Sequence, residues 1–450
     1  METLPALTAP AVETDACTDL GAAARSVLAA NWRGRHTVPS ARLYPHQWSW
    51  DSAFIAIGLA RVDQHRAQLE LATLFGAQWR DGRVPHIVFD PDTPADAYFP
   101  GPRFWAPNSP ELGARVLAMR PTSGIVQPPV HARAAWEIYR RAADRPAAAD
   151  FLRRMYEPLC AWHDYLATRR NLGRSGLAAI VHPWESGMDN SPAWDGAVRE
   201  SCAGGATVPA ARADLRHVPA TQRPGDADYA AYIDLAARYR DRSYSDVGLL
   251  PGHGFAVEDP LFNAVFAWSE ESLARIAAVI GANSRWHSDR AHALGAALAD
   301  RLYDPELGMF VPRDLRSGRQ IPVAGVAGLA ALVSPGLPAE AVARTCAQIS
   351  SSRFWNGRSD GRLLPTLDRT SPEFDPQRYW RGPSWANTTW LVIAGLRRHG
   401  AAAAAEALRS GLLETVRAEG FREYYDADTG AGAGCQDFSW TAALVLDLLN

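Results

Sequence analysis

Apolar residues at helical spacing, or clusters of good helix formers, recur from residue 18 to the end of the chain, while alternating runs of β-branched residues are scarce. A chain patterned this way has one broad choice, helices packed on helices. The spacing predicts helices over 18–31, 52–62, 64–79, 131–144, 149–169, 227–240, 260–281, 284–303, 325–334, 338–350, 384–399, 401–418 and 437–449. Short joints pair several of them. Arg398-His-Gly-Ala401 separates two helices and Gly281-Ala-Asn-Ser284 two more, with Gly and Asn suited to the C-cap. Hairpins spread through the whole chain suit a closed ring or a solenoid, and the lack of a fixed-period repeat disfavours an open solenoid. The expectation is an all-α fold, a closed ring of helical hairpins.

Length alone would allow up to three domains, but a ring closing on itself can use 450 residues as one. Residues 1–17 read as an N-terminal tail and 18–450 as a single domain. Two Gly-, Pro- and aromatic-rich insertions interrupt it near 80–130 and 180–226. Connections this long usually serve as lids or binding loops, and gathered at one end of a ring they would build a pocket. A net charge of −3 offers no basic field, so nucleic acid is not expected as a partner. No apolar stretch is long and uncharged enough for a membrane span, and the N-terminus lacks a signal-peptide pattern. Five scattered cysteines without a CxxC pair indicate neither a zinc site nor a disulfide framework, which fits a reducing cytoplasm. A homo-oligomer stays open.

Five polar-aromatic clusters make poor core material. They are Tyr44-Pro-His-Gln-Trp-Ser-Trp-Asp-Ser-Ala-Phe54, His182-Pro-Trp-Glu-Ser-Gly-Met-Asp-Asn-Ser-Pro192, Arg378-Tyr-Trp-Arg-Gly-Pro-Ser-Trp-Ala-Asn387, Gly420-Phe-Arg-Glu-Tyr-Tyr-Asp-Ala-Asp-Thr-Gly430 and Cys435-Gln-Asp-Phe-Ser-Trp440. Each precedes a helix or lies between two. Asp51 or Ser52 would cap one helix and Ser384 another. Indole faces can stack on a sugar, and carboxylates, amides and Arg can bond its hydroxyls. Glycoside cleavage needs one protonated carboxyl to protonate the leaving oxygen and one carboxylate to attack or to activate water. Asp189 and Glu423 are the candidates, because distant loops can meet over one bond. Glu185, Asp51, Asp426 and Asp437 compete for the same roles.

Other residues have blander readings. Trp48, Trp136 and Trp162 read as core, and His182 and His253 as structural. Glu185 would orient a neighbour, and Arg381 would meet substrate or a carboxylate such as Asp375.

In order and spread, Trp50-Asp51-Ser52-x-Phe54, His182–Pro192, Tyr379-Trp-Arg-Gly-Pro-x-Trp385 and Phe438-Ser-Trp-Thr-Ala442 resemble the motifs of glycoside hydrolase family 63 and its trehalase relatives. The run 43–90 and Gln127-Pro-Pro-Val-His131 resemble its short bacterial branch acting on glucosylglycerate or mannosylglycerate. The resemblance covers nearly all of 18–450. It implies an (α/α)6 barrel with long lid loops at one end, inversion at the anomeric carbon, and neither cofactor nor metal.

On the matching positions, the resemblance makes Asp189 the general acid and Glu423 the base. Tyr44, Trp50, Asp51, Trp184 and Gly187 would hold the hexose, with Trp380 and Trp385 closing the pocket. Arg223, Tyr229, Gln127, Tyr379, Tyr98 and Gln436 would lie near the glycerate. Inversion would set the two carboxyls ~6.5–9.5 Å apart. The partner is then a small glycoside carrying a carboxylate. Glucosylglycerate is the expected substrate, with mannosylglycerate or a trehalase-type α-glucoside as alternatives. A sugar isomerase or lyase on the same ring would release no free hexose and glycerate. A carbohydrate-binding protein would keep its function in Asp189→Asn and Glu423→Gln.

Overall fold

The computed structural model describes residues 12–94, 96–106, 120–201, 212, 214–357 and 363–450, the side chains of 12–18 excepted. Twelve helices carry the architecture: α1 (Val12–Ala30), α2 (Ser49–Leu59), α3 (Gln64–Phe75), α4 (His131–Arg141), α5 (Arg145–Arg169), α6 (Pro260–Ile280), α7 (Ser284–Leu302), α8 (Val326–Ala330), α9 (Ala339–Gln348), α10 (Ala386–Arg398), α11 (Ala402–Glu419) and α12 (Ser439–Leu448). The even-numbered helices form a closed inner ring, in which each touches the next and α12 returns to α2. The odd-numbered ones stand outside.

Composition explains the division. Every residue of α2 is buried, and its sequence Ser-Trp-Asp-Ser-Ala-Phe-Ile-Ala-Ile-Gly-Leu has no hydrophilic face to offer solvent. In contrast α11 buries a stripe made by Ala405, Leu408, Gly411, Leu412, Leu413 and Val416, as an outer helix should. Ring closure depends on close backbone approach. A Cβ at Gly58 of α2 would stand 2.2 Å from the carbonyl oxygen of Ala443 on α12.

Loop length then decides where a site can form. Connections from an inner helix to the next outer one are short, at 60–63, 142–144, 281–283, 331–338 and 399–401. Those entering the inner helices are long, at 31–48, 76–130, 170–259, 303–325, 349–385 and 420–438, so they gather over the inner-helix N-termini. Two-residue strand pairs pin them together. Gln47–Trp48 pairs with Ile87–Val88, and Val257–Glu258 with Arg313–Asp314. The helix Asp226–Asp241, which follows the second insertion, packs against Pro102–Trp105 of the first.

Several expectations need revision. Helix α1 begins at Val12, so residues 12–17 extend it, while 1–11 lie outside the described residues. Neither Asp51, Ser52 nor Ser384 is an N-cap. Trp48 and Trp385 take those positions without side-chain cap bonds, which places Asp51 and Ser52 inside the first turn of α2. Among the described residues no helix is long and apolar enough to cross a membrane, and Cys160, Cys346 and Cys435 are free.

Candidate active site

In the segment 182–192, hydrogen bonding separates the two acids. His182 caps a 3-10 turn over Pro183–Ser186: its Nδ1 accepts from Trp184 N at 3.0 Å and its Nε2 donates to the Tyr232 carbonyl at 2.8 Å. Gly187 ends the turn at φ 72°, where a Cβ would meet the Trp50 indole at 2.4 Å. Only glycine allows that reversal against the indole.

Glu185 points into the protein. Arg170 grips both its oxygens at 2.6 Å, and the backbone N–H groups of Val126 and Val181 donate to it at 3.2 and 2.7 Å. It therefore orients the loops that carry Gln127 and Asp189. Glu185→Gln takes one of two carboxylates from the buried Arg170 guanidinium, Asp246 at 3.1 Å being the other, and we expect a loss of about 1.5–3 kcal/mol in stability. Thermal unfolding measures this, and an unchanged Tm would remove Glu185 from that role.

Asp189, half-buried, faces a cavity whose closed end belongs to the inner helices. Trp50 and Asp51 come from the first turn of α2, Trp385 from the N-cap of α10 and Trp440 from the start of α12. Trp380 and Trp385 stack with centroids 3.8 Å apart and planes 8° from parallel, and Trp184 forms another wall. The outer end is polar and belongs to the loops, with Tyr98, Gln127, Arg223, Tyr229 and Tyr379. There Arg223 lies over the Tyr379 ring at 4.7 Å, and Tyr229 donates to the Phe99 carbonyl at 2.8 Å. Gln127 fixes its orientation by accepting from Trp50 N at 3.2 Å.

Three of the carboxyl groups lining this cavity, those of Asp51, Asp189 and Glu423, could serve the chemistry, and they are not equivalent. Glu423 is surrounded by donors. Arg223 Nη2 and Cys435 N reach its Oε2 at 2.9 and 3.0 Å, and Tyr44 donates to Oε1 at 2.9 Å. No protein hydrogen bond reaches the side-chain oxygens of Asp189 or Asp51 from another described residue. Burial pushes Asp189 up to about 7, against the Arg223 guanidinium and its own backbone N–H, with Glu423 adding to the rise. Burial also raises Asp51 well above the usual carboxylate range, against its own backbone N–H, with Glu423, Asp189 and Glu70 adding to the rise. Near neutral pH the cavity thus holds a carboxyl able to give a proton, Asp189, beside a second, Glu423, that accepts from a guanidinium, a phenol and a backbone N–H.

The remaining candidates sort as follows. Gln436 does not line the cavity. It is exposed, and its side-chain carbonyl accepts from the Arg422 guanidinium at 2.7 Å. Asp426 is spent on a turn, accepting from the backbone of Asp428 and Thr429 at 2.8 and 2.9 Å, and Asp437 is exposed. Arg381 pairs with Asp195 at 2.5 Å, not with Asp375. His253 donates from Nε2 to the Val181 carbonyl at 2.7 Å, a structural role.

Trp48 is buried in the core, as its place beside a helix suggests, and one face of it also lines the cavity. Sequence reasoning missed His86, Arg212 and Asp214, all at the cavity wall. Arg212 bonds Asp214 at 2.6 Å and covers the Tyr229 ring at 4.5 Å. No local pattern marks these three: His86 and Arg212 enter from irregular loop and Asp214 from the start of a short 3-10 turn.

Asp189, with its raised affinity for a proton, and the donor-bound Glu423 share an aromatic-walled pocket, an arrangement suited to the two carboxyl roles that cleavage of a glycosidic bond requires. Fold and site together define an (α/α)6 glycoside hydrolase. Comparison with known proteins narrows the class. The family described as mannosylglycerate hydrolase MGH1-like glycoside hydrolase domain matches residues 44–441. A mannosylglycerate hydrolase of Rubrobacter radiotolerans is 41% identical over 433 residues, 96% of this chain and 97% of its own. A glucosylglycerate hydrolase of Mycolicibacterium hassiacum is 37% identical over 446 residues, 96% and 98% of the two chains. The crystal structure of a family 63 mannosylglycerate hydrolase from Thermus thermophilus, in complex with Tris, superposes with a TM-score of 0.86 at 39% identity, covering 95% of this chain and 99% of that one. The chain belongs to the MGH1-like branch of glycoside hydrolase family 63.

Proposed function

We propose that the protein hydrolyses an α-hexosyl glycerate with inversion. Asp189 gives its proton to the glycosidic oxygen as the bond to C1 breaks, and glycerate leaves. Glu423 removes a proton from the water that attacks C1 from the opposite face, so the hexose departs as the β-anomer. The observation that carries the reading is the contrast between Asp189, pushed up to about 7 and without a hydrogen bond from another described residue, and a donor-bound Glu423 in one cavity. Asp51 and the indoles of Trp50, Trp184, Trp380 and Trp385 would hold the hexose, and Tyr44 would keep Glu423 oriented. Arg223, helped by Tyr98, Gln127, Tyr229 and Tyr379, would receive the glycerate, since a guanidinium fork matches a carboxylate.

Glucose is the hexose of this reading, as in the relative from Mycolicibacterium hassiacum. Mannose is the second reading, favoured by the mannosylglycerate hydrolases of Rubrobacter and Thermus. The two sugars differ only at the C2 hydroxyl. Free thiols at Cys160, Cys346 and Cys435 support a cytoplasmic location for the enzyme.

The test compares kcat/KM on glucosylglycerate, mannosylglycerate and trehalose, with the product anomer followed by NMR before mutarotation. We expect a glycerate glycoside to lead trehalose by at least ~100-fold, because trehalose would leave the site's charged groups without their partner. Faster turnover of trehalose would overturn the glycerate assignment. An α-anomer as first product would mean retention.

A further inference from the structure

Away from the catalytic pocket, seven arginines line a second cavity of about 370 Å³, all of them at the ends of inner helices except Arg133, in the first turn of α4, and Arg275, within α6. Three carboxylates answer them. Glu137, fully buried, takes Arg133, Arg140 and Arg141, the latter two at 2.7 Å. Asp447 takes Arg61 at 3.0 Å and shares Arg141 at 2.5 Å. Glu271 takes Arg275 at 3.3 Å and Arg398 at 2.6 Å. The seventh, Arg397, makes no ion pair among the described residues.

Cations at helix C-termini are stabilising on their own account, so the cluster must be weighed against that role. Among the described residues, one of the seven, Arg141, donates to the end of an inner helix, at the Ile57 carbonyl 2.9 Å away. The ends of α2, α4, α10 and α12 each carry roughly −0.5 charge, together on the order of −2, which seven arginines against three carboxylates exceed. A terminal carboxylate at Asn450 would lower the surplus by one charge and leave it positive.

Burial sharpens the imbalance. The Arg141 side chain is 8% exposed, and the Nε atoms of Arg133 and Arg141 are buried without a partner. Burial pushes Arg133 down to about 10, against Glu137, and Arg140, Arg275 and Arg141 push the same way.

We propose that this cavity binds an oxyanion of the phosphate class, free phosphate or a small phosphate monoester, and so ties the inner-helix ends together. A tetrahedral oxyanion presents several acceptors to guanidinium forks arriving from different helices. Trp268 and Trp390, also in the wall, leave room for an organic substituent beside the charge.

The test titrates the full chain with inorganic phosphate and with glycerol phosphate, at ionic strength held constant with chloride, following Tm and heat of binding. We expect a saturable rise in Tm of ~2 °C or more below ~10 mM ligand. The double variant Arg275→Gln/Arg397→Gln alters two exposed side chains and leaves the Glu137 and Asp447 pairs intact. It should bind phosphate at least ~10-fold more weakly, with unliganded Tm and kcat/KM unchanged. Tighter binding of glycerol phosphate than of phosphate supports an ester as occupant, and the reverse supports the free ion. The proposal is overturned by absence of saturation, by equal binding in the double variant, or by binding lost in Arg223→Ala instead, which would place the anion in the catalytic pocket.

Discussion

Asp189→Asn and Glu423→Gln should each lower kcat by about 10²–10⁴-fold, the range that a positioned acid or base contributes. The two losses differ in kind. A glycosyl fluoride needs no proton on its leaving group, so it should restore turnover in Asp189→Asn while the natural glycoside stays slow. Azide, entering where the water does, should rescue Glu423→Gln and leave Asp189→Asn unchanged. Equal rescue of both variants by fluoride would end the assignment.

The pH dependence follows from the same carboxyl. Asp189 is pushed up to about 7, so the proton donor is present below that pH and is lost as pH rises through it. Activity should therefore fall on the alkaline side of 7 in the native enzyme. Stability runs the same way. An unfolded Asp titrates near ~3.9, so between there and about 7 the folded state binds more protons and loses stability as pH rises. Asp189→Asn removes that loss. Above pH 7 its Tm should exceed that of the native enzyme by ~2–4 °C, with the gap closing toward pH 4.

The ring was legible because inner and outer helices obey different rules that leave a trace in sequence. All-round apolarity in 52–59 and striping in 402–419 are local properties, and so are the short joints at 281–283 and 399–401. The pairing of Glu185 with Arg170 is not local. At i, i+4 spacing Glu185 and Asp189 look alike, and what separates them is a guanidinium at the end of α5 and a backbone N–H in the first insertion. Ser52 misled for a related reason. It resembles a cap, yet its hydroxyl donates to buried Glu70 on α3 at 2.6 Å, inside the ring and not at its edge. Gln436 shows the limit of carrying a role by position. The motif alone places it near the glycerate, but its amide bonds Arg422 and it does not line the cavity.

Arg223 is asked to serve two carboxylates with one fork, and this makes its variants informative. Its Nη1 and Nη2 already engage Tyr44 and Glu423, at 2.8 and 2.9 Å, while its Nε is buried without a partner. A glycerate arriving at the outer end must use that free edge or draw the guanidinium partly off Glu423. Arg223→Met takes away both services. We expect kcat to fall ~10²-fold, as Glu423 loses the guanidinium that orients it. Preference for a glycerate glycoside over trehalose should drop by ~10-fold or more, the worth of one charge-assisted pair. Arg223→Lys separates the services. A point charge still faces Glu423, so much of kcat returns, but without the planar fork the discrimination stays low. Were Arg223→Met to retain full preference for glycerate while losing kcat, the guanidinium would serve Glu423 alone, and the glycerate carboxylate would belong to Arg212 across the same cavity.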